Sequence, residues 1–240
     1  MRLIISILAA ALTLVGSASA EVLRAVTSAD VAPMSRGHDQ DLPGFNHELV
    51  SLMVERAGLS LQIDYYPWKR AQKIALGNES VLIFGLTRTE KREDQYEWIA
   101  PLIEAQRVFV TTGPLINSVE DARNLDNIGA QGVYLDALQA AGFENVEEAT
   151  AARNLRKLQA GRVSAVYTLA ERAAFEWAQF GYSPDTLRIG TPIAKIDLWL
   201  CATKGYSKET QARLAAALAE IRVSGEYDAL HSKYFGGLTY

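Results

Sequence analysis

Apolar and polar residues alternate along the chain in patterns that predict strands and helices in turn. The stretch from Leu61 to Tyr66 alternates as a half-buried strand does, and Val81 to Phe84 is an apolar run typical of a strand covered on both faces. From Lys208 to Val223 the apolar residues recur at helical spacing. Further strands are predicted at Leu23 to Val26, Arg107 to Thr112, Ile128 to Ala130 and Val163 to Tyr167, and further helices from the candidate N-cap Asn46 to Ala57 and from Trp68 to Leu76. This alternation predicts an α/β fold with mostly parallel sheets.

The first residues, 1–20, have the layout of a secretory signal peptide. One positive charge at Arg2 precedes an apolar run from Leu3 to Val15, and the small residues Ala18, Ser19 and Ala20 close the segment. The run is shorter than the roughly 20 apolar residues of a membrane-spanning helix. A buried N-terminal helix is the alternative, although no polar residues define an outer face for it. We therefore expect residues 1–20 to be removed and the mature protein to be soluble in the periplasm.

Composition and side-chain chemistry argue against several classes of function. The chain carries 24 basic and 28 acidic residues, so its net charge is −4, and it has no basic tract, which argues against nucleic-acid binding. The single cysteine, Cys201, lies in the apolar stretch Leu198 to Ala202 and is expected to be a buried thiol. The histidines His38, His47 and His231 have no metal-site spacing. No nucleophile signature or phosphate-binding loop is present, so we expect no metal, no cofactor and no catalytic residue.

Five short segments, taken in order, carry a family resemblance. They are Gly44 to Leu49 (GFNHEL), Gly85 to Arg92 (GLTRTEKR), Ile128 to Gly132 (IGAQG), Leu158 to Val163 (LQAGRV), and Ser224 to Tyr227 (SGEY) with Lys233 to Gly236 (KYFG). Together, across essentially the whole mature chain, they resemble the family 3 extracellular solute-binding proteins. This group contains the histidine- and the lysine/arginine/ornithine-binding proteins of polar amino acid transporters.

The resemblance implies a two-lobed, periplasmic binding protein-like type II fold. Each lobe would be a mostly parallel sheet flanked by helices, and two strands would form the hinge. Lobe 1 would comprise residues 21–110 and 193–240, and lobe 2 residues 111–192. A small ligand would bind between the lobes and close the hinge. The family further implies a monomer that delivers its ligand to an ABC permease.

Arg92 is the main ligand-binding residue that the resemblance implies. In the family, the arginine at this place grips the α-carboxylate of the ligand, since a planar guanidinium donates two parallel charge-assisted hydrogen bonds. Thr87 and Glu90 fit a capping box, which predicts a helix N-terminus that would favour the same anion. The alternative is that Lys91 and Arg92 belong to a solvated helix face.

Five more residues are candidate ligand contacts. In lobe 1, Trp68 matches a pocket aromatic of the family, and Gly85, like Thr87, could offer a polar group to the ligand. In lobe 2, Gly132 and Tyr134 fall on the loop that meets the ligand in the family, and Tyr167 ends a strand near the same cleft. For Trp68 and Tyr167, ordinary packing is the alternative. The loop that carries Tyr134 is one residue shorter than is usual in the family, which leaves the role of Tyr134 open.

The sequence departs from the family where the amino group of a ligand would be bound. The aspartate that usually pairs with the ligand ammonium is replaced by Leu169, and the nearest acid is Glu171. In lobe 1, an acid and an aromatic often found after the first strand are replaced by Ser28 and Val31. A buried charge without its partner costs roughly 3–5 kcal/mol. We therefore expect a carboxylate-bearing or other polar ligand rather than a standard α-amino acid held in the standard way.

Two alternative functions stay open on the sequence alone. The first is a periplasmic dehydratase of the same fold, resembling cyclohexadienyl dehydratase, in which Arg92 would hold a carboxylate and Glu171 would act as general acid. The second is a receptor that reports its ligand to a sensor protein instead of a transporter.

Overall fold

Nine strands form one mixed sheet within the part of the chain that the computed structural model describes, residues 22–37, 41–77 and 79–236. The predicted signal peptide and His38 lie outside these ranges. The strands are β1 (Val22–Thr27), β2 (Ser60–Tyr65), β3 (Leu82–Thr87), β4 (Tyr96–Thr111), β5 (Ile128–Ala130), β6 (Val146–Glu148), β7 (Ala165–Leu169), β8 (Arg188–Ile189) and β9 (Ala194–Thr203). The helices are α1 (Phe45–Arg56), α2 (Trp68–Ala75), α3 (Val119–Ala122), α4 (Val133–Ala140), α5 (Ala151–Gln159), α6 (Ala170–Gln179), α7 (Lys208–Val223) and α8 (Glu226–Phe235).

Two parallel groups of strands are joined by two long antiparallel strands. The sheet order is β2-β1-β3-β9-β4-β7-β5-β6, with β8 beside β4. Strands β1, β2 and β3 pair in parallel at one end, and β5, β6 and β7 pair in parallel at the other. Between them, β4 pairs antiparallel with β9 from Tyr96 to Arg107. The predicted α/β class with two connecting strands is confirmed.

The buried apolar residues form clusters on both sides of these connecting strands. One large cluster surrounds Phe45 of α1, whose ring meets the rings of Tyr227 and Phe235 edge to face at 5.5 and 5.4 Å. Another lies beyond β4, where Trp177 packs among buried residues of α5 and β7. The names lobe 1 and lobe 2 are kept for the two predicted residue ranges, and that division stays a prediction.

Two predicted helix caps are wrong. Helix α1 begins at Phe45 after Gly44, so Asn46 lies inside the helix, 1% exposed, and its Oδ1 has no hydrogen-bond partner. Gly44 allows this early start because its φ of 121° brings the backbone against Met34. Thr87 does not cap a helix either, because it ends β3 and pairs there with Leu198 of β9.

A single turn of 3₁₀ helix, Glu90–Arg92, comes shortly after β3 and has no side-chain cap. A turn of this length has no helix dipole with which to bind an anion. The predicted helix N-terminus is therefore absent from this site.

Candidate ligand-binding site

Arg92 is held in place by two neutral acceptors. Its guanidinium donates from Nη1 to the carbonyl oxygen of Thr87 at 3.1 Å and from Nη2 to Oε1 of Gln72 at 2.9 Å. Gln72 lies on α2, one helical turn after Trp68, and was not predicted as a site residue. These two bonds orient the guanidinium and leave its positive charge uncompensated.

The charge of Arg92 has no carboxylate partner in the part of the chain that the structure describes, since none of the ion pairs there includes Arg92. Burial lowers the pKa of the guanidinium, and the electrostatic attraction of Tyr96 and of Asp136 and Tyr134 in lobe 2 offsets part of this effect. A half-buried cation in this state is stabilised by an added anion. The side chain thus has the electrostatics of an anion-binding group.

The other predicted residues of lobe 1 lie close to Arg92 in the sequence or on α2. The side chain of Thr87 is buried, and its carbonyl oxygen accepts from Arg92. Gly85 lies at an irregularity of the β3–β9 pairing with φ of 88°, and a Cβ there would lie 3.8 Å from Nδ2 of Asn46. Trp68 begins α2 and packs, half buried, against a core cluster of lobe 1. Their contact with a ligand stays a prediction.

The predicted aromatic residues of lobe 2 pack around Arg107 of β4. The Tyr134 ring lies edge-on to the Tyr167 ring at 6.4 Å, and Arg107 lies 5.3 Å from the first and 6.0 Å from the second. Tyr167 is 4% exposed and stacks on Phe109, so most of its surface is core. Gly132 precedes α4 with φ of 54° and has open space where a side chain would lie.

A narrow pocket lies at the carboxyl ends of the parallel strands β5 and β7. Its polar lining includes Gln131, Asn154, Thr168 and Arg172. Oγ1 of Thr168 and Oδ1 of Asn154 are buried without a hydrogen-bond partner. The carboxyl edge of parallel strands is where α/β proteins commonly bind ligands, but this pocket is too tight to admit a water molecule.

Arg172 connects the two predicted lobes, and sequence reasoning did not identify it. It is 5% exposed, pairs through Nε with Glu176 at 2.8 Å, and donates from Nη2 to the carbonyl oxygen of Asp30 in lobe 1. A looser ion pair of 3.9 Å, Lys69 with Glu148, also links lobe 1 to lobe 2. The lobes therefore meet through polar side chains on this face.

The sequence model of the bacterial extracellular solute-binding proteins, family 3, matches residues 23–237. The chain belongs to this family. The match spans all the strands and helices described above except Val22, the first residue of β1, so the predicted family membership is confirmed. No helix in the described part of this family 3 protein is long and apolar enough to cross a membrane, and no cluster of His, Cys, Asp or Glu there is arranged to hold a metal ion.

Three known proteins show what this family 3 protein is similar to. A probable histidine-binding protein of Neisseria gonorrhoeae is 22% identical over 229 residues, covering 90% of this chain and 83% of the relative. The crystal structure of a histidine kinase sensor domain with similarity to periplasmic binding proteins has a TM-score of 0.80 at 20% identity, covering 92% of this chain and 99% of that chain. An ancestral amino acid-binding protein, a precursor of cyclohexadienyl dehydratase, has a TM-score of 0.75 at 20% identity, with 89% and 96% covered. These structural likenesses establish the fold.

Leu169 and Glu171 of this family 3 protein are both buried. Leu169, at the place of the usual ammonium partner, is 1% exposed and packs with the large core cluster around Phe45. Glu171 is 4% exposed, and its Oε1 and Oε2 accept from the backbone N–H of Gln106 in β4 at 3.1 and 3.4 Å. Burial raises the pKa of this carboxyl group. Glu171 thus accepts a hydrogen bond from the connecting strand β4. It is not among the residues that line the narrow pocket of lobe 2.

Replacing Glu171 with Gln tests this assignment. Because the folded-state pKa of Glu171 is raised, stability is lost as the pH rises through that pKa, whereas below the ordinary pKa both states are protonated. We expect Glu171→Gln to melt at a higher temperature than the natural protein at about pH 8, with a difference that vanishes towards about pH 4. Glu120→Gln, at an exposed position of α3, is the control without such a pH dependence. Lower stability of Glu171→Gln at about pH 8 would show that the ionised carboxylate stabilises β4.

Proposed function

We propose that this family 3 protein is exported by means of residues 1–20 and binds a small carboxylate-bearing ligand between lobe 1 and lobe 2, for delivery to an ABC permease. One observation carries the proposal: Arg92 is half buried, oriented by Thr87 and Gln72, and has no carboxylate partner among the described residues. A ligand carboxylate would supply the missing negative charge in bidentate geometry. The match to a family of extracellular solute-binding proteins supports the same function.

The environment of Leu169 favours a ligand without an α-ammonium group. An ammonium group placed against this buried leucine would have no partner there, at a cost of roughly 3–5 kcal/mol. A micromolar site binds with about −8 kcal/mol, so such a loss would leave affinity near the millimolar range. Glu171 is 4% exposed and accepts from the backbone N–H of Gln106, so we infer that it does not replace the missing aspartate. We therefore infer a carboxylate ligand rather than a standard α-amino acid.

The dehydratase and the sensor receptor, the two alternative functions, place different requirements on the site. A dehydratase would need Glu171 within hydrogen-bond reach of the leaving group, and that carboxylate is buried against β4. A receptor for a sensor protein would use the same ligand site, and the likeness to a sensor domain concerns the fold. The binding step is common to the transporter and sensor roles, so it is the step to test first.

A thermal-shift panel tests the proposed ligand class. The chain without residues 1–20 is unfolded, dialysed and refolded to remove any copurified ligand, and is then melted with α-amino acids and with carboxylates that lack an amino group. We expect several carboxylates to raise the melting temperature, since bound ligand stabilises the folded state by mass action. Stabilisation by α-amino acids alone would contradict the proposal. Product formation from cyclohexadienyl acids would support the dehydratase instead.

A further inference from the structure

Arg107 is a second arginine without a carboxylate partner. It lies on β4, half buried, and its guanidinium stacks over the rings of Tyr134 and Tyr167. No carboxylate in the described ranges forms an ion pair with Arg107, and its Nε is buried without a hydrogen-bond acceptor. A buried N–H donor and an uncompensated charge on one side chain are costly in the absence of an anion.

The connecting strand β9 links the two uncompensated arginines. Arg92 donates to Thr87, which pairs with β9 at Leu198, and Arg107 pairs with β9 at Ala194, four residues away. A third arginine, Arg172, lines a narrow pocket together with Tyr134. Arg172 differs from the other two, because Glu176 neutralises it at 2.8 Å. The carboxylates nearest to this group are also engaged or exposed: Glu171 accepts from the β4 backbone, and Asp136 lies exposed on α4.

We propose that Arg107 forms a second anion-binding subsite, so that the ligand is a small dianionic acid with one anionic group on Arg92 and the other on Arg107. This inference rests on the proposed function, since it takes the Arg92 carboxylate site as given. A diacid would neutralise both guanidinium groups and satisfy Nε of Arg107, whereas an ammonium group would add a third positive charge.

The competing explanation is that Arg107 only packs on the two tyrosines. A cation stacked on aromatic faces is itself stabilising, so a purely structural Arg107 would lower stability when its charge is removed. Arg107→Met separates the two roles. Methionine retains an unbranched apolar chain over the rings, and no carboxylate is left unpaired by the change. A structural role alone predicts lower stability with unchanged ligand preference, whereas an anion subsite predicts that the preference for a diacid is lost.

The experiment measures dissociation constants by calorimetry at low ionic strength. The probes are succinate, glutarate and adipate, each compared with its half-amide, in which one carboxylate is replaced by a neutral group of similar size. We expect the natural protein to bind at least one diacid about ten-fold or more tightly than its half-amide. In Arg107→Met that preference should disappear, while the half-amide binds as before. Arg88→Met is the matched control, because Arg88 also stacks on two aromatic rings, those of Trp98 and Trp199, and should keep the preference.

Each result has one meaning. A preference for the diacid that survives in Arg107→Met overturns the inference, and so does equal binding of diacid and half-amide by the natural protein. If half-amides or other monocarboxylates bind in an Arg92-dependent way without any preference for diacids, the proposed function stands and this inference fails. If no carboxylate binds in an Arg92-dependent way, the proposed function itself fails.

Discussion

Replacing Arg92 with alanine is expected to weaken carboxylate binding by about two orders of magnitude or more. The guanidinium can donate two charge-assisted hydrogen bonds to a carboxylate, each contributing about 1.5–3 kcal/mol, and 1.4 kcal/mol corresponds to a factor of ten. The contacts to Thr87 and Gln72 already orient the side chain, so little side-chain entropy is lost on binding. Calorimetric titration with the carboxylate that gives the largest thermal shift measures the effect.

Two further variants control the Arg92 experiment. Arg92→Lys retains the charge but not the planar pair of donors, so it should recover only part of the affinity. Arg88→Ala removes an arginine of the same segment that pairs with Glu93 and stacks on Trp98 and Trp199. It should bind the ligand as the natural protein does. Equal losses in Arg88→Ala and Arg92→Ala would point to general electrostatics of the segment instead of a specific contact.

Gly44→Ala should cause a large loss of stability, although it adds only one methyl group. A Cβ at this position would lie 2.5 Å from the carbonyl oxygen of Met34 and 2.6 Å from Cα of Ser35, at a φ of 121° that favours glycine. Because the obstructing atoms are backbone, the chain must move, and the hydrogen bond from Asn46 N to Met34 O would be strained. We expect a loss of roughly 3 kcal/mol or more, which lowers the melting temperature by about 10 °C for a chain of this size.

Gly205→Ala is the matched control for Gly44→Ala. Gly205 also has a positive φ, 78°, but no atom lies within 4 Å of the added Cβ. It should therefore lose only the cost of the left-handed backbone, about 1–2 kcal/mol. Thermal and denaturant unfolding measure both variants. Similar losses in the two would show that backbone conformation alone, and not the close approach to Met34, makes glycine necessary at position 44.

Local patterns along the sequence predict much of this fold. The alternation from Leu61 and the helical spacing from Lys208 correspond to β2 and α7, whose bounds differ little from the prediction. Strand β4 was predicted only from Arg107, yet it begins at Tyr96. Its pairing with β9 is irregular between Trp98 and Ala100 and again after Pro101, and each irregularity shifts the period of two on which the prediction depends.

The errors at the helix caps have a common physical cause. Thr87 has the chemistry of an N-cap, but strand pairing with Leu198 determines its backbone. Asn46 likewise has a capping side chain, but the close packing of Gly44 on Met34 starts α1 before it. In both cases tertiary contacts, which a local pattern does not contain, outweigh a preference of about 1 kcal/mol.

The candidate site was predictable in part. Family resemblance predicts Arg92 as a ligand-binding residue, because it lies in a short motif. The partners that orient Arg92, and the second arginine at position 107, depend on residues brought together by the fold: Gln72 from α2, and Tyr134 and Tyr167 from lobe 2. The sequence signal for Arg107 was a charged residue at the start of an apolar strand, and that signal alone does not reveal whether the charge has a partner.

A double-mutant cycle between Arg92 and the ligand carboxylate tests the central claim most directly. Calorimetry gives the dissociation constants of the natural protein and of Arg92→Ala for the best carboxylate and for its methyl ester. If Arg92 grips that carboxylate, the two changes are coupled: the ester weakens binding to the natural protein but not to the variant, with a coupling energy of about 2 kcal/mol or more. Additive effects, with a coupling energy near zero, would show that Arg92 and the carboxylate do not meet.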